Sequence, residues 1–186
     1  MTDWKSCLEN PRGRFTLEWF REHVATKELL KAGPFFGNVL DVGCGIGGRT
    51  YLVAESYPAA NVQGLDKSFA GIEHARGSFN LANISYHVCD ATQMLFVDNR
   101  FDFVFSLGVI EHIPDTAQFL REIHRVLKTG GRFFLAVTEK NYHTDSEHVH
   151  SFTLETAIDA IEAGGFTVES GYVKDHIIFI QARKSE

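Results

Sequence analysis

The chain has 186 residues, 44% apolar and 23% charged, a globular composition with enough length to bury one well-packed domain but not two ordinary ones. With 18 Lys and Arg against 24 Asp and Glu, the formal charge of −6 gives no general attraction to nucleic acid or anionic lipid, so nucleic acid is not favoured as a partner. No apolar run approaches membrane-spanning length. The three cysteines, Cys7, Cys44 and Cys89, are an odd number without metal-ligand spacing, which points to reduced thiols in the cytoplasm.

Residues 1–13 are polar and contain Asn10-Pro11-Arg12-Gly13, the pattern of a loosely held arm ahead of a single domain over 14–186. Leu17, Phe20 and Val24 recur at helical spacing, predicting one helix over 16–31 that ends near Gly33-Pro34. A strand follows at 38–42, then a helix at 49–57 stopped by Pro58, a second strand at 61–66, and a helix to about residue 81 capped by Ser68. The third strand is predicted at 84–89. The run Phe101-Asp102-Phe103-Val104-Phe105-Ser106-Leu107 is nearly continuous in apolar residues, as a central strand covered on both faces requires. A helix over 114–127, ended by Gly130-Gly131, leads to a fifth strand at 132–138. A last helix at 153–163 precedes strands at 166–173 and 176–182. Lys174-Asp175 is too short for a parallel crossover, so the last two strands form an antiparallel hairpin. Together these elements predict an α/β fold, a doubly wound and mainly parallel sheet with one reversed strand and helices on both faces.

The most informative stretch is Val39-Leu40-Asp41-Val42-Gly43-Cys44-Gly45-Ile46-Gly47-Gly48, where a strand passes an acid and enters a glycine-dense turn. Glycines there admit positive φ and let a ligand approach the backbone. Gly43, Gly45 and Gly48 match a dinucleotide fingerprint that seats a pyrophosphate on a helix N-terminus. Gly43, Gly45 and Gly47 behind an acid match the loop of S-adenosylmethionine enzymes, and a plain strand-to-helix connection is the third reading. Asp41 favours the second: a carboxylate disfavours pyrophosphate but suits the sulfonium and ammonium of S-adenosylmethionine.

Further along, Gly64-Leu65-Asp66-Lys67-Ser68 puts an acid at the end of the second strand, Cys89-Asp90-Ala91 closes the third, and Ser106-Leu107-Gly108-Val109-Ile110-Glu111-His112 follows the fourth, with Val126-Leu127-Lys128-Thr129-Gly130-Gly131 after it. On these stretches the chain resembles the class I S-adenosylmethionine-dependent methyltransferases, the small-molecule type with Glu-His after strand 4, over roughly residues 36–183. The resemblance implies strand order 3-2-1-4-5-7-6, with strand 7 antiparallel. It implies S-adenosyl-L-methionine as cofactor, held by Asp41, Gly43, Cys44, Gly45, Gly47, Asp66, Lys67, Asp90, Ala91, Leu107 and Gly108. Ionised Asp66 would accept two hydrogen bonds from the ribose diol, Asp90 and the Ala91 N–H would meet adenine, and the Leu107 and Gly108 carbonyls would meet the methionine ammonium. Met94 and Leu95 are candidates for the adenine face, with core packing as the other reading.

Methyl transfer is an in-line displacement that depends on alignment more than on catalytic side chains, yet an oxygen or acidic carbon nucleophile needs its proton removed. His112, at the carboxyl edge of the sheet, is the candidate catalytic residue, with a turn-stiffening role for Glu111-His112 as the alternative. His143, His148 and His150, with Asp145 and Glu147 between them, lack the regular helical spacing of zinc ligands, so no metal is expected. Trp19, Phe20 and His23, with Trp4 of the arm, are candidates to cover the donor site; a second subunit, as in a homodimer, or a large substrate is the alternative. The acceptor class expected is a small molecule. Transfer to tRNA or protein, and a silent S-adenosylmethionine-binding module, stand as alternatives. The Asn-Pro-Pro-aromatic tetrapeptide of nucleic-acid amino-methyltransferases is missing where Ser106-Leu107-Gly108-Val109 stands. A dehydrogenase is disfavoured by Asp41 and the reversed strand.

Overall fold

A computed structural model describes residues 16–140, 142 and 148–185. The proposed arm, Trp4, Cys7, His143, Asp145 and Glu147 lie outside them. Two short helices, α1 (Leu17–Glu22) and α2 (Val24–Lys31), precede β1 (Gly37–Val42), α3 (Gly48–Ser56), β2 (Ala60–Asp66), α4 (Phe69–Ser78), β3 (Ile84–Val88) and β4 (Phe101–Leu107). A 3₁₀ turn (Ile110–His112), α5 (Thr116–Val126), β5 (Leu127–Thr138), α6 (Leu154–Ala163), β6 (Phe166–Lys174) and β7 (Ile177–Lys184) complete the order. The strands form one seven-stranded sheet in the order 3-2-1-4-5-7-6. Its first five strands pair in parallel, and β7 runs antiparallel to both β5 and β6.

Strand alternation divides the core between the two faces of the sheet. Leu40, Val42, Val104, Phe133 and Leu135 pack with Phe119, Ile123 and Ile161 of α5 and α6. Val39, Phe103, Phe105 and Phe134 pack with Leu29 and Val53 of α2 and α3. Because both faces are covered, the central strands are apolar at almost every position, which is why 101–107 was legible as a strand.

Three local expectations are corrected. The predicted helix over 16–31 is two helices, broken at His23, whose backbone is extended (φ −65°, ψ 133°). His23 Nδ1 accepts the Ala25 N–H at 3.2 Å and so caps α2; burial, and then the Arg49 charge, lower its pKa to about 4, keeping that lone pair available. The Gly130-Gly131 pair does not end the preceding helix: α5 stops at Val126 and the chain enters β5 directly at Leu127. Leu127 pairs with Phe101, and its carbonyl accepts from Lys184 Nζ at 2.8 Å, so tertiary pairing holds the segment extended. The hairpin turn is Asp175-His176, both at positive φ, one residue beyond the expected pair.

Glu28 of α2 ties the amino-terminal helices to the reversed end of the sheet. Its carboxylate accepts from Lys174 Nζ (2.7 Å), Tyr172 Oη (2.8 Å) and Lys31 Nζ (2.8 Å). The hydrogen bonds from Lys174 and Lys31 outweigh burial and hold Glu28 down to about 2. A folded-state pKa below the ordinary 4.5 stabilises the fold above pH 4.5, and that contribution is lost as pH falls from 4.5 towards 2. Glu28→Gln is expected to cost about 1–3 kcal/mol at pH 7. Urea unfolding of both proteins at pH 7 and pH 3 should show the difference narrowing at the lower pH.

Candidate functional site

β1 and β4 part at their carboxyl ends. Their pairing stops at Asp41↔Phe105, whereas β1 stays with β2 to Val42↔Leu65 and β4 stays with β5 to Leu107↔Ala136. The crevice left at this switch point is where ligands sit in open α/β sheets. The chain turns out of β1 with the Gly43 and Cys44 N–H groups both donating to the Leu65 carbonyl, at 2.8 and 2.9 Å. Gly43 has φ +79°, and a Cβ there would stand 2.3 Å from Val109 Cγ2, so both conformation and space require glycine.

A cavity of 1020 Å³ opens over this fork. Gly43, Cys44, Asp66, Lys67, Asp90, Ala91, Leu107, Gly108 and His112, all named from the sequence, line it together. Phe20 and His23, two of the residues expected as cover, line it as well, while Trp19 is not on its wall. Asp66 sits at the rim, with Oδ2 accepting the Gly45 N–H (2.9 Å) and Oδ1 accepting the Ser68 N–H (2.8 Å). Each oxygen keeps a second lone pair for a ligand diol. Asp90 Oδ1 takes both the N–H and the hydroxyl of Thr92 at 2.7 Å; these bonds lower its pKa and keep it ionised.

Asp41, Gly45 and Gly47 stand behind the cavity wall rather than on it. Asp41 is buried and accepts the Thr50 hydroxyl at 2.7 Å. Burial raises it to about 7, against the opposing effects of Thr50 and the Arg49 charge. Gly45 acts through its N–H on Asp66, and Gly47 starts α3 at φ +86° against Tyr86 and Ala75. Burial, with Asp41 and Asp66 nearby, raises the Cys44 thiol well above its usual value, so it is an unreactive wall. Met94 is core and Leu95 is exposed; neither lines the cavity.

Arg49 escaped the sequence reading. It lines the cavity, its guanidinium lies 5.8 Å from the Trp19 ring and 5.4 Å from the Phe20 ring, and its buried Nε has no hydrogen-bond partner among the described residues. The available signal was a cation in the first turn after the glycine loop, where the helix end itself disfavours positive charge.

At the far side, His112 faces the His148 ring, centroids 4.8 Å apart. The Val149 and His150 N–H groups both donate to the Glu111 carbonyl (2.9 and 3.2 Å), strapping the loop after β5 onto the 3₁₀ turn. His150 points to the Pro114 carbonyl instead, with Nε2 at 3.1 Å. Glu111 is buried, and burial raises it to about 7 although the Thr138 N–H reaches Oε1 at 3.5 Å.

Residues 40–135 match the family described as "Methyltransferase domain". The chain belongs to that methyltransferase domain family. Among its relatives is the ubiquinone/menaquinone biosynthesis C-methyltransferase of Desulfotalea psychrophila, 41% identical over 105 residues, 56% of this chain and 43% of that protein. Another is phosphoethanolamine N-methyltransferase 2 of Caenorhabditis elegans, 33% identical over 139 residues, 70% of this chain and 32% of that one. The chain thus spans less than half the length of these relatives. The solved phosphoethanolamine N-methyltransferase 2 of Haemonchus contortus, in complex with phosphomonomethylethanolamine and S-adenosylhomocysteine, shares the fold of this methyltransferase domain. Its TM-score is 0.73 at 22% identity, covering 87% of this chain and 52% of that one.

In this methyltransferase domain the Asp41–Thr50 bond connects the floor of the site to α3. Thr50→Val would leave the buried carboxylate without that donor and is expected to destabilise the fold by about 1–3 kcal/mol. Thermal unfolding of the two proteins at pH 8, where Asp41 is ionised, checks it.

Proposed function

We propose that this chain transfers a methyl group from S-adenosyl-L-methionine to a small-molecule acceptor. The observation that carries the reading is a cavity lined by Asp66, Asp90, Ala91, Leu107 and Gly108 on one side and His112 on the other, which suits a ribose diol at Asp66 and an adenine ring at Asp90 and Ala91. The buried, unpartnered Nε of Arg49 fits the carboxylate of an amino-acid moiety, and the Asp41 carboxyl beneath the turn favours the adjacent positive charge. The cofactor supplies an electrophilic methyl carbon on a sulfonium. The protein's part is to align that carbon with the acceptor, exclude water through Phe20 and His23, and present His112 to the acceptor.

Three facts support a small acceptor. The relatives named above act, by their names, in ubiquinone/menaquinone biosynthesis and on phosphoethanolamine. The cavity is of the size that holds a cofactor and a small ligand. The net charge of −6 gives no pull on nucleic acid. With Phe20 and His23 already at the cavity, a second copy of the chain is not needed as cover on that side. No helix of the described residues is long and apolar enough to cross a membrane, and Cys44 and Cys89 are free thiols, in keeping with the cytoplasmic location we assign.

Calorimetric titration with S-adenosylmethionine and with NAD tests the cofactor; saturable NAD binding without S-adenosylmethionine binding overturns the reading. Incubation with methyl-labelled donor and pooled metabolites tests the reaction, and tight donor binding with no transfer would make the chain a silent binding module. Asp66→Ala should weaken donor binding by about 1.5–3 kcal/mol, the scale of charged hydrogen bonds. His112→Ala should lower turnover at least tenfold and leave donor affinity within about twofold, read from kcat and from calorimetry; parallel loss of both would mean a scaffold role.

A further inference from the structure

Spacing along the loop after β5 argues against a metal, but among the described residues of that loop the fold sets His148 against the 3₁₀ turn after β4. A carboxylate oxygen of Glu111 and one ring nitrogen each of His112 and His148 all lie within 4.8 Å of one another. Donors arranged tetrahedrally at about 2.1 Å from one ion stand about 3.4 Å apart. Closing this set therefore draws its widest pair together by up to about 1.4 Å, a movement shared between side chains.

The surroundings fit a prepared site. Glu111 is 2% exposed, and its Oε2 is buried with no hydrogen-bond partner, an arrangement that costs free energy unless something meets that oxygen. Glu111 and His112 are consecutive on one rigid turn. His148 is held to the same turn because the next two backbone N–H groups donate to the Glu111 carbonyl. The set is thus fixed from both sides of the sheet edge, and His112 places it on the cavity wall.

We propose that Glu111, His112 and His148 bind one divalent transition-metal ion at the acceptor end of the cavity. Two imidazoles and one carboxylate suit manganese, iron, cobalt or zinc better than magnesium or calcium, and three protein ligands leave positions open on the ion. The open positions take a hydroxyl or phenol oxygen of the acceptor. The ion lowers the proton affinity of that oxygen and the proton passes to solvent. The oxygen lone pair then forms the O–C bond to the methyl as the C–S bond breaks, its electrons returning to sulfur and leaving a neutral thioether. The ion site stands on its own geometry; its role towards an oxygen acceptor rests on the methyl-transfer reading.

The test is titration of the metal-free protein with Co²⁺, followed by visible absorption, and with Mn²⁺, followed by electron paramagnetic resonance. One ion per chain is expected, with Glu111→Gln and His148→Ala each weakening binding at least tenfold. His150→Ala, two residues away and outside the set, should leave binding within twofold. Absence of stoichiometric binding overturns the proposal, as does binding unchanged in His148→Ala or weakened equally in His150→Ala. His148→Ala keeps the test decisive should Glu111→Gln fail to fold. Titrating the metal-free protein with S-adenosylmethionine reports separately on the cofactor reading, so the two can fail independently.

Discussion

The parting of β1 from β4 is the constraint on which the rest of the molecule depends. Their backbones pair up to Asp41 and Phe105, and beyond that each stays with its outer neighbour. The Gly43 and Cys44 N–H groups both bond to the Leu65 carbonyl of β2. The turn can cross the fork only because Gly43 takes a left-handed φ with Val109 pressed against its missing Cβ. Asp66 then locks the far side of the turn by accepting the Gly45 N–H. The cavity is the space that these few backbone bonds hold open.

Two buried carboxyls flank the fork, and the same burial acts on groups with different partners. Burial raises both Asp41 and Glu111 to about 7. Asp41 is met from within by the Thr50 hydroxyl and the Arg49 charge, beneath the glycine turn. On Glu111 the Thr138 N–H reaches one oxygen at 3.5 Å, and among the described residues the other oxygen has no hydrogen-bond partner. A fold that tolerates such a group holds an under-satisfied polar atom beside His112 on the cavity wall. The cleft is thus electrically asymmetric: one end is settled by the chain itself and the other is left to a ligand.

Cover comes from the amino-terminal helices, through the break at His23. A straight helix over 16–31 would carry Phe20 and Val24 along one stripe. Breaking it lets Phe20 pack on the first turn of α3 at Gly48, where a Cβ would meet the ring at 2.1 Å, while Leu29 enters the main core on the other side. Glu28 anchors the second helix to Lys174 and Tyr172 of β6, joining the first segment of the sheet's cover to its last hairpin.

The sequence by itself determined the succession of strands and helices and the closing antiparallel hairpin. Those features rest on short-range chemistry: apolar runs for strands covered on both faces, glycines where φ is positive, and a two-residue link that admits only a hairpin. The strand order and the naming of Asp66, Asp90, Ala91, Leu107 and Gly108 came with the family resemblance, and the sheet sets these strand-end residues around one cavity. Tertiary structure decided what pairing across distance controls. It moved Asp41 from the wall to the floor, because Thr50 nine residues on takes up its carboxylate. It broke the first helix at His23 and drew Leu127 into β5. It also brought His148 to Glu111 and His112, respectively 37 and 36 residues away in the chain, while turning His150 away to Pro114. No spacing rule along one loop could find that set, because its members come from two loops that meet only where β4 and β5 lie side by side.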